Sequence, residues 1–221
     1  MSADSLKLAI AQFANVQERL TSILTNPTWC PVTNDEQAAR CSLWFASFRH
    51  LTLTVELVSR GREIEAATLC RTALEGYAQV RFLRTQPTML REWLAGKDST
   101  RRLYSVRDMM PEPVLYTAYG QLSRFGPHLR RPILGTMWKI GADGVEMHLE
   151  RSAAPGSISW LLILTAVATT RGLTSEAIHF VIDDDAVNTP ELSGHLGRIR
   201  SLLDEVRDLA VERWKHHHES R

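Results

Sequence analysis

Lysine is scarce in this chain of 221 residues: Lys7, Lys97, Lys139 and Lys215 are the four lysines, beside 22 arginines. Acidic residues nearly cancel the basic ones, leaving a formal net charge of +1. No global positive field therefore exists to release phosphate counterions, so charge does not support RNA as a partner, although a local basic patch stays open. Cysteine is sparse as well. Cys30, Cys41 and Cys70 form no C-x-x-C pair, which argues against a disulfide framework or structural zinc and for packed thiols in a reducing cytosol. Long apolar runs are missing: the most apolar stretch, 158–168, spans eleven residues and is interrupted by Ser159 and Thr165, whereas a bilayer span needs about twenty. The N-terminus has no basic segment leading into an apolar one, the mark of a secretory signal. The expected setting is soluble and cytoplasmic, with no membrane partner. With no Gly, Pro or Ser-rich linker and no internal repeat, residues 1–221 read as a single domain.

What the chain does have is a helical period. Leu6, Ile10, Phe13, Val16 or Leu20, Ile23 and Leu24 form one stripe at spacings of three and four. Asn26-Pro27 ends that helix, because proline disfavours helical geometry in the residue before it, and 26–34 reads as a loop. Asn34 or Asp35 starts a second helix with Cys41, Trp44, Phe45, Phe48, Leu51 and Val55 inward, broken at Gly61. A third, 62–85, buries Ile64, Ala67, Cys70, Leu74, Tyr77, Ala78 and Phe82. Pro87 opens a shorter helical region through Met110, with a kink near Gly96. Leu115, Ala118, Tyr119, Leu122 and Phe125 line the next helix, which Gly126-Pro127 terminates.

Between Pro132 and Arg151 the pattern changes. Two short apolar runs flank Gly141-Ala142-Asp143-Gly144, which predicts a β-hairpin insertion over 132–151. Helical spacing returns from Ile158 to Arg171 and again from Leu173 to Val187. Asp183-Asp184-Asp185 reads as an exposed helix end. After Pro190 the last helix carries Leu192, Leu196, Ile199, Leu203, Val206 and Ala210. The expected fold is all-α, a single bundle of about six to eight helices with one small hairpin.

Several polar residues fall on or beside apolar stripes. Arg71 and Glu75 are four apart, so they can meet along one helix face. A charged pair there fixes helix register, forms the floor of a pocket, or simply lies exposed. Tyr119 and Ser123 share a face, and His128 follows a helix stop; a pocket of Arg71, Glu75, Tyr119, Ser123 and His128 is the expected ligand site. Serine nucleophilic chemistry is not expected, since Ser123 lacks the turn, the base orienter and the oxyanion hole. Glu176-Ala-Ile-His179 is an E-x-x-H, of which carboxylate-bridged metal bundles need two. One copy makes Glu176 and His179 weak metal candidates. Extending the last helix's inner stripe brings Arg213 and His217 to one side, and Arg213 with His218 forms an R-x4-H spacing. In metal-free RNA cleavage an arginine can hold the scissile phosphate while a histidine moves the 2′-hydroxyl proton.

The segment Leu69-Cys70-Arg71-Thr72-Ala73-Leu74-Glu75, the following Tyr77 to Leu83, and Tyr119-x3-Ser123-x4-His128 together resemble a large family of all-helical bacterial proteins. That family is grouped with abortive-infection and HEPN-type domains, and the resemblance covers residues 38–210. It implies a helical bundle, frequently dimeric, with a polar cluster of Arg71, Glu75, Ser123 and His128, and it brings no established activity. HEPN ribonucleases place a polar residue after the arginine of R-x4–6-H; here Trp214 stands there, and His218 lies three residues from the end.

The expected function is binding or assembly as a homodimer, with a small ligand or protein partner and no cofactor. A metal-independent HEPN-like endoribonuclease using Arg213 with His217 or His218 ranks second, and a metal-binding oxidoreductase bundle third.

Overall fold

Asn26-Pro27 stops the first helix as its geometry requires. In the computed structural model, which describes residues 2–95, 109–110, 113–125, 138–141, 144–147, 157–180, 182 and 189–219, α1 spans Ser2–Leu24. The Asn26 side chain then accepts from the Thr28 amide at 2.9 Å, and its carbonyl accepts from Trp29 and Cys30 at 3.1 and 2.9 Å. This Asx-type turn reverses the chain. α2 (Asp35–Ser59) starts at Asn34, which is extended and accepts from the Gln37 amide at 2.9 Å, an N-cap. Gln37 reaches back to the Thr33 amide and hydroxyl at 2.9 and 2.6 Å. The other end of α2 is a Schellman motif: Arg62 donates to the Leu57 carbonyl at 2.9 Å and Gly61 to that of Val58 at 3.1 Å. Gly61 sits at φ 70°, the left-handed region that glycine enters without a Cβ clash.

Beyond that turn come α3 (Glu63–Thr85), α4 (Pro87–Leu94) and α5 (Pro113–Phe125). The last two long helices are α6 (Ser157–Phe180) and α7 (Pro190–Glu219). Seven helices among the described residues make the chain all-α. α4 ends at Leu94, and Met109 and Met110 are not helical; residues 96–108, the rest of the helical region expected through Met110, lie outside the described residues. The kink expected near Gly96 and the acidic run Asp183–Asp185 lie outside the described residues. α6 differs too. It runs unbroken through Arg171 and Gly172, where periodicity predicts two pieces, because no cap or proline interrupts it.

Of the hairpin insertion expected over 132–151, the described part is two four-residue strands, Trp138–Gly141 and Gly144–Met147. They pair antiparallel with Trp138 opposite Met147 and Gly141 opposite Gly144. Residues 132–137, 142–143 and 148–151 lie outside the described residues.

One continuous core joins α1 to α7. α2 and α3 form an antiparallel pair through the tight Gly61 turn, and α1 lies along α7. α6 is the hub, packing on α2, α3, α5 and α7 with a smaller contact on α1. Its stretch Ser159–His179, 21 residues at mean hydropathy 1.2, is long and apolar enough to cross a membrane, yet most of it is buried inside the bundle. A helix packed against several neighbours is apolar over most of its surface, as a membrane helix is.

Two contacts set the spacing of the central helices. Gly172 lets α6 approach the ring of Tyr77 on α3; a Cβ there would stand 2.7 Å from the ring carbon Cζ. Gly76 does the same against Ser47 of α2, where an added Cβ would meet Oγ at 2.1 Å. Trp44, fully buried, donates its indole N–H to the Leu173 carbonyl at 2.8 Å and so ties α2 to α6.

Candidate functional site

α3 carries polar residues on two of its edges, and each edge meets a different helix. On the α5 side, Arg71 and Glu75 pair along one turn: Arg71 Nε and Nη2 lie 3.1 and 3.0 Å from the same oxygen, Glu75 Oε1. Tyr119 of α5 donates its hydroxyl to that oxygen at 3.0 Å. The Arg71 guanidinium carbon stands 5.5 Å from the centre of the Tyr119 ring, within range of a cation–π contact. The side chains of Arg71 and Glu75 are 27% and 39% exposed, so the pair occupies the rim of the apolar stripe rather than its centre. Burial pulls the Arg71 proton affinity down, but the Tyr119 hydroxyl and the Glu75 carboxylate outweigh it and raise the net value.

Ser123 lies one turn beyond Tyr119 on α5. Its hydroxyl is buried and has no hydrogen-bond partner among the described residues. A helical serine commonly bonds back to the carbonyl four residues earlier, so this one is an unused donor and acceptor on the cluster's face. His128 lies outside the described residues. Four of the five expected pocket residues are therefore placed on the facing helices α3 and α5, and three of them are in direct contact.

On the α6 side, Arg84 Nε binds Glu176 Oε2 across 92 positions of sequence. Glu176 is buried, and its charge is already answered by that guanidinium. His179, its partner in the E-x-x-H, is exposed on α6. No group of three or more His, Cys, Asp or Glu among the described residues could hold a metal ion. The metal assignment is left without a ligand set there: its carboxylate is an arginine's partner.

At the far end of α7, Arg213 follows the inner stripe as its spacing predicts, with its side chain 23% exposed. Its Nε is buried without a hydrogen-bond partner among the described residues, and its carboxylate contact, Glu212, is 3.9 Å away. His217 and His218 fall on the last turns of α7, with their side chains outside the described residues.

Sequence reasoning missed one feature. A groove of about 610 Å³ opens between α3, α6 and α7, and three arginines line it: Arg81 of α3, Arg171 of α6 and Arg200 of α7. Periodicity hints at Arg81, one turn from Arg84, but nothing in the sequence brings Arg171 beside Arg200. The arginine excess was the visible trace. No known protein family, curated protein or solved structure matches this chain.

Proposed function

We propose that this chain works by binding, with the α3–α5 polar cluster as its recognition face. One observation carries the reading: the buried Ser123 hydroxyl, without a partner among the described residues, one helical turn from Tyr119 of the Arg71–Glu75–Tyr119 interlock. An unpaired buried hydroxyl costs about 1–3 kcal/mol, a cost that an incoming polar group removes. Arg71 adds directional donors, since Glu75 engages only one edge of the guanidinium. The ligand is a small polar molecule or a segment of a protein partner. The three free thiols suit a reducing cytoplasm, and assembly as a homodimer through a helix face belongs to the same proposal.

Native mass spectrometry of the protein isolated from its own host tests the binding reading. The expected result is an adduct on the wild type that Ser123→Ala and Arg71→Gln lose while both variants keep the wild-type melting temperature. A wild type without any adduct or stabilising metabolite overturns it. Light scattering that shows only the 25.0 kDa chain rejects the dimer.

The loosely paired Arg213 favours a second reading, a metal-independent endoribonuclease that uses His217 or His218 with that arginine. Cleavage of total RNA in the presence of a chelator supports it. A His217→Ala/His218→Ala variant that cleaves as fast as the parent removes it.

A further inference from the structure

The groove between α3, α6 and α7 has an unbalanced charge. Its lining holds three guanidiniums, Arg81, Arg171 and Arg200, against one carboxylate, Glu176. Glu176 is occupied by Arg84 from just outside the lining. Arg171 is held at 2.9 Å by Asp204, a carboxylate that Arg207 shares at the same distance. Arg81 and Arg200 have no acidic partner among the described residues. Two guanidiniums without an acid among the described residues, lining one concavity, repel each other, and water screens that repulsion only partly in a cleft. The fork geometry of arginine matches the oxygens of a phosphate.

The rest of the lining is not polar enough for a bare ion site. Leu196, Leu203 and Ala168 supply apolar surface from α6 and α7. The hydroxyl of Ser175 makes no hydrogen bond among the described residues, whereas Thr174 spends its own on the Thr170 carbonyl at 2.8 Å. The volume falls inside the roughly 300–1,000 Å³ typical of small-ligand sites. A cavity with an apolar wall and a cationic rim fits an amphipathic anion, one end flat or apolar and the other phosphorylated.

We propose that this groove binds a small phosphate monoester with an apolar or aromatic body, its phosphate held by Arg81 and Arg200 and its body against the α6–α7 wall. The site is separate from the α3–α5 cluster, so either can fail without the other. A net charge of +1 supplies no global positive field for a nucleic-acid backbone, which favours a small molecule over RNA.

Calorimetric titration of the full chain with adenosine monophosphate, adenosine and inorganic phosphate tests the proposal. Saturable binding of the monophosphate is expected, with each of the other two weaker by about tenfold or more. Arg81→Gln and Arg200→Gln should each weaken the monophosphate by about tenfold. Arg200 is exposed and has no acidic partner among the described residues, so that variant should fold. Arg198→Gln, exposed on the same helix but outside the groove, should leave affinity unchanged. No saturable binding, an equal loss in Arg198→Gln, inorganic phosphate binding as tightly as the nucleotide, or a single-stranded RNA that outcompetes it would each overturn the proposal.

Discussion

Arg84 reaches across from α3 to Glu176 on α6, and Glu176 is the most buried carboxylate among the described residues, with only 9% of its side chain exposed. The arginine end of the pair is about one-third exposed. The pair is therefore a bridge from solvent into the core, with the carboxylate dependent on its partner. Arg84→Ala should destabilise the fold by about 3 kcal/mol, because it strands a buried negative charge. Replacing both ends with Arg84→Met and Glu176→Leu should recover most of that loss, since the pair's own desolvation cost disappears with it. Urea unfolding of the wild type, the single variant and the double variant measures both. A single variant as stable as the wild type would mean that Glu176 finds water or another partner.

The glycines separate by what stands opposite them. Gly172→Ala drives a methyl into the Tyr77 ring, within 2.7 Å of a buried aromatic carbon that cannot swing away. A loss of about 1–3 kcal/mol is expected from such overpacking. Gly197 on α7 has nothing within 4 Å of the position a Cβ would take. Gly197→Ala should gain about 1 kcal/mol from helix propensity alone. Thermal melting of the two variants should move in opposite directions.

Burial pushes the Cys70 thiol up to about 12, and burial together with the neighbouring Cys41 pushes Cys30 to about 12 as well. Below the ordinary thiol value both folded and unfolded chains keep these protons, so neither thiol contributes to the pH dependence. Between about 9 and 12 the unfolded chain releases them and the folded chain does not, so stability falls as pH rises, by up to about 1.4 kcal/mol per pH unit for each thiol. Denaturant midpoints measured through that window should show the decline, and Cys70→Ala should make it shallower. In the native protein at neutral pH, Cys70 should resist alkylation until the chain unfolds.

Tyr119→Phe removes the hydroxyl that Glu75 accepts while leaving the ring beside Arg71. The carboxylate is partly exposed, so water takes over some of the lost bond, and a cost of about 1 kcal/mol is expected. In a double-mutant cycle with Arg71→Met, the two effects should fail to add, because both residues act on one oxygen. Strict additivity would show that Glu75 is not shared.

Much of the architecture was legible in the sequence because its signals are local. Asn34 caps a helix through the Gln37 amide three residues away, Gly61 and Arg62 close one through carbonyls three and five residues back, and each needs no information beyond its own turn. Apolar spacing placed Trp44, Leu51, Leu74 and Val206 inward, and all four are buried. The limits of local reasoning show at α6. The change from apolar residues to Arg171-Gly172 reads as a break, but the helix continues, since that glycine lets Tyr77 approach rather than ending the helix. The Arg71–Glu75 contact is an intrahelical spacing and could be read directly, whereas the approach of Tyr119 from α5 could not.

The scarcity of lysine under a near-zero net charge set a question that the sequence could pose but not resolve. By itself the sequence determined that the chain is helical, where most helices start and stop, and that its cations are nearly all arginine. Tertiary structure decided what those arginines meet. Arg84 found Glu176, Arg171 found Asp204, and Arg81 and Arg200 were left beside one groove without an acid among the described residues. The reason is geometric. Helical periodicity fixes the face a side chain occupies on its own helix, but the neighbour across that face depends on how distant helices pack, which no local spacing encodes.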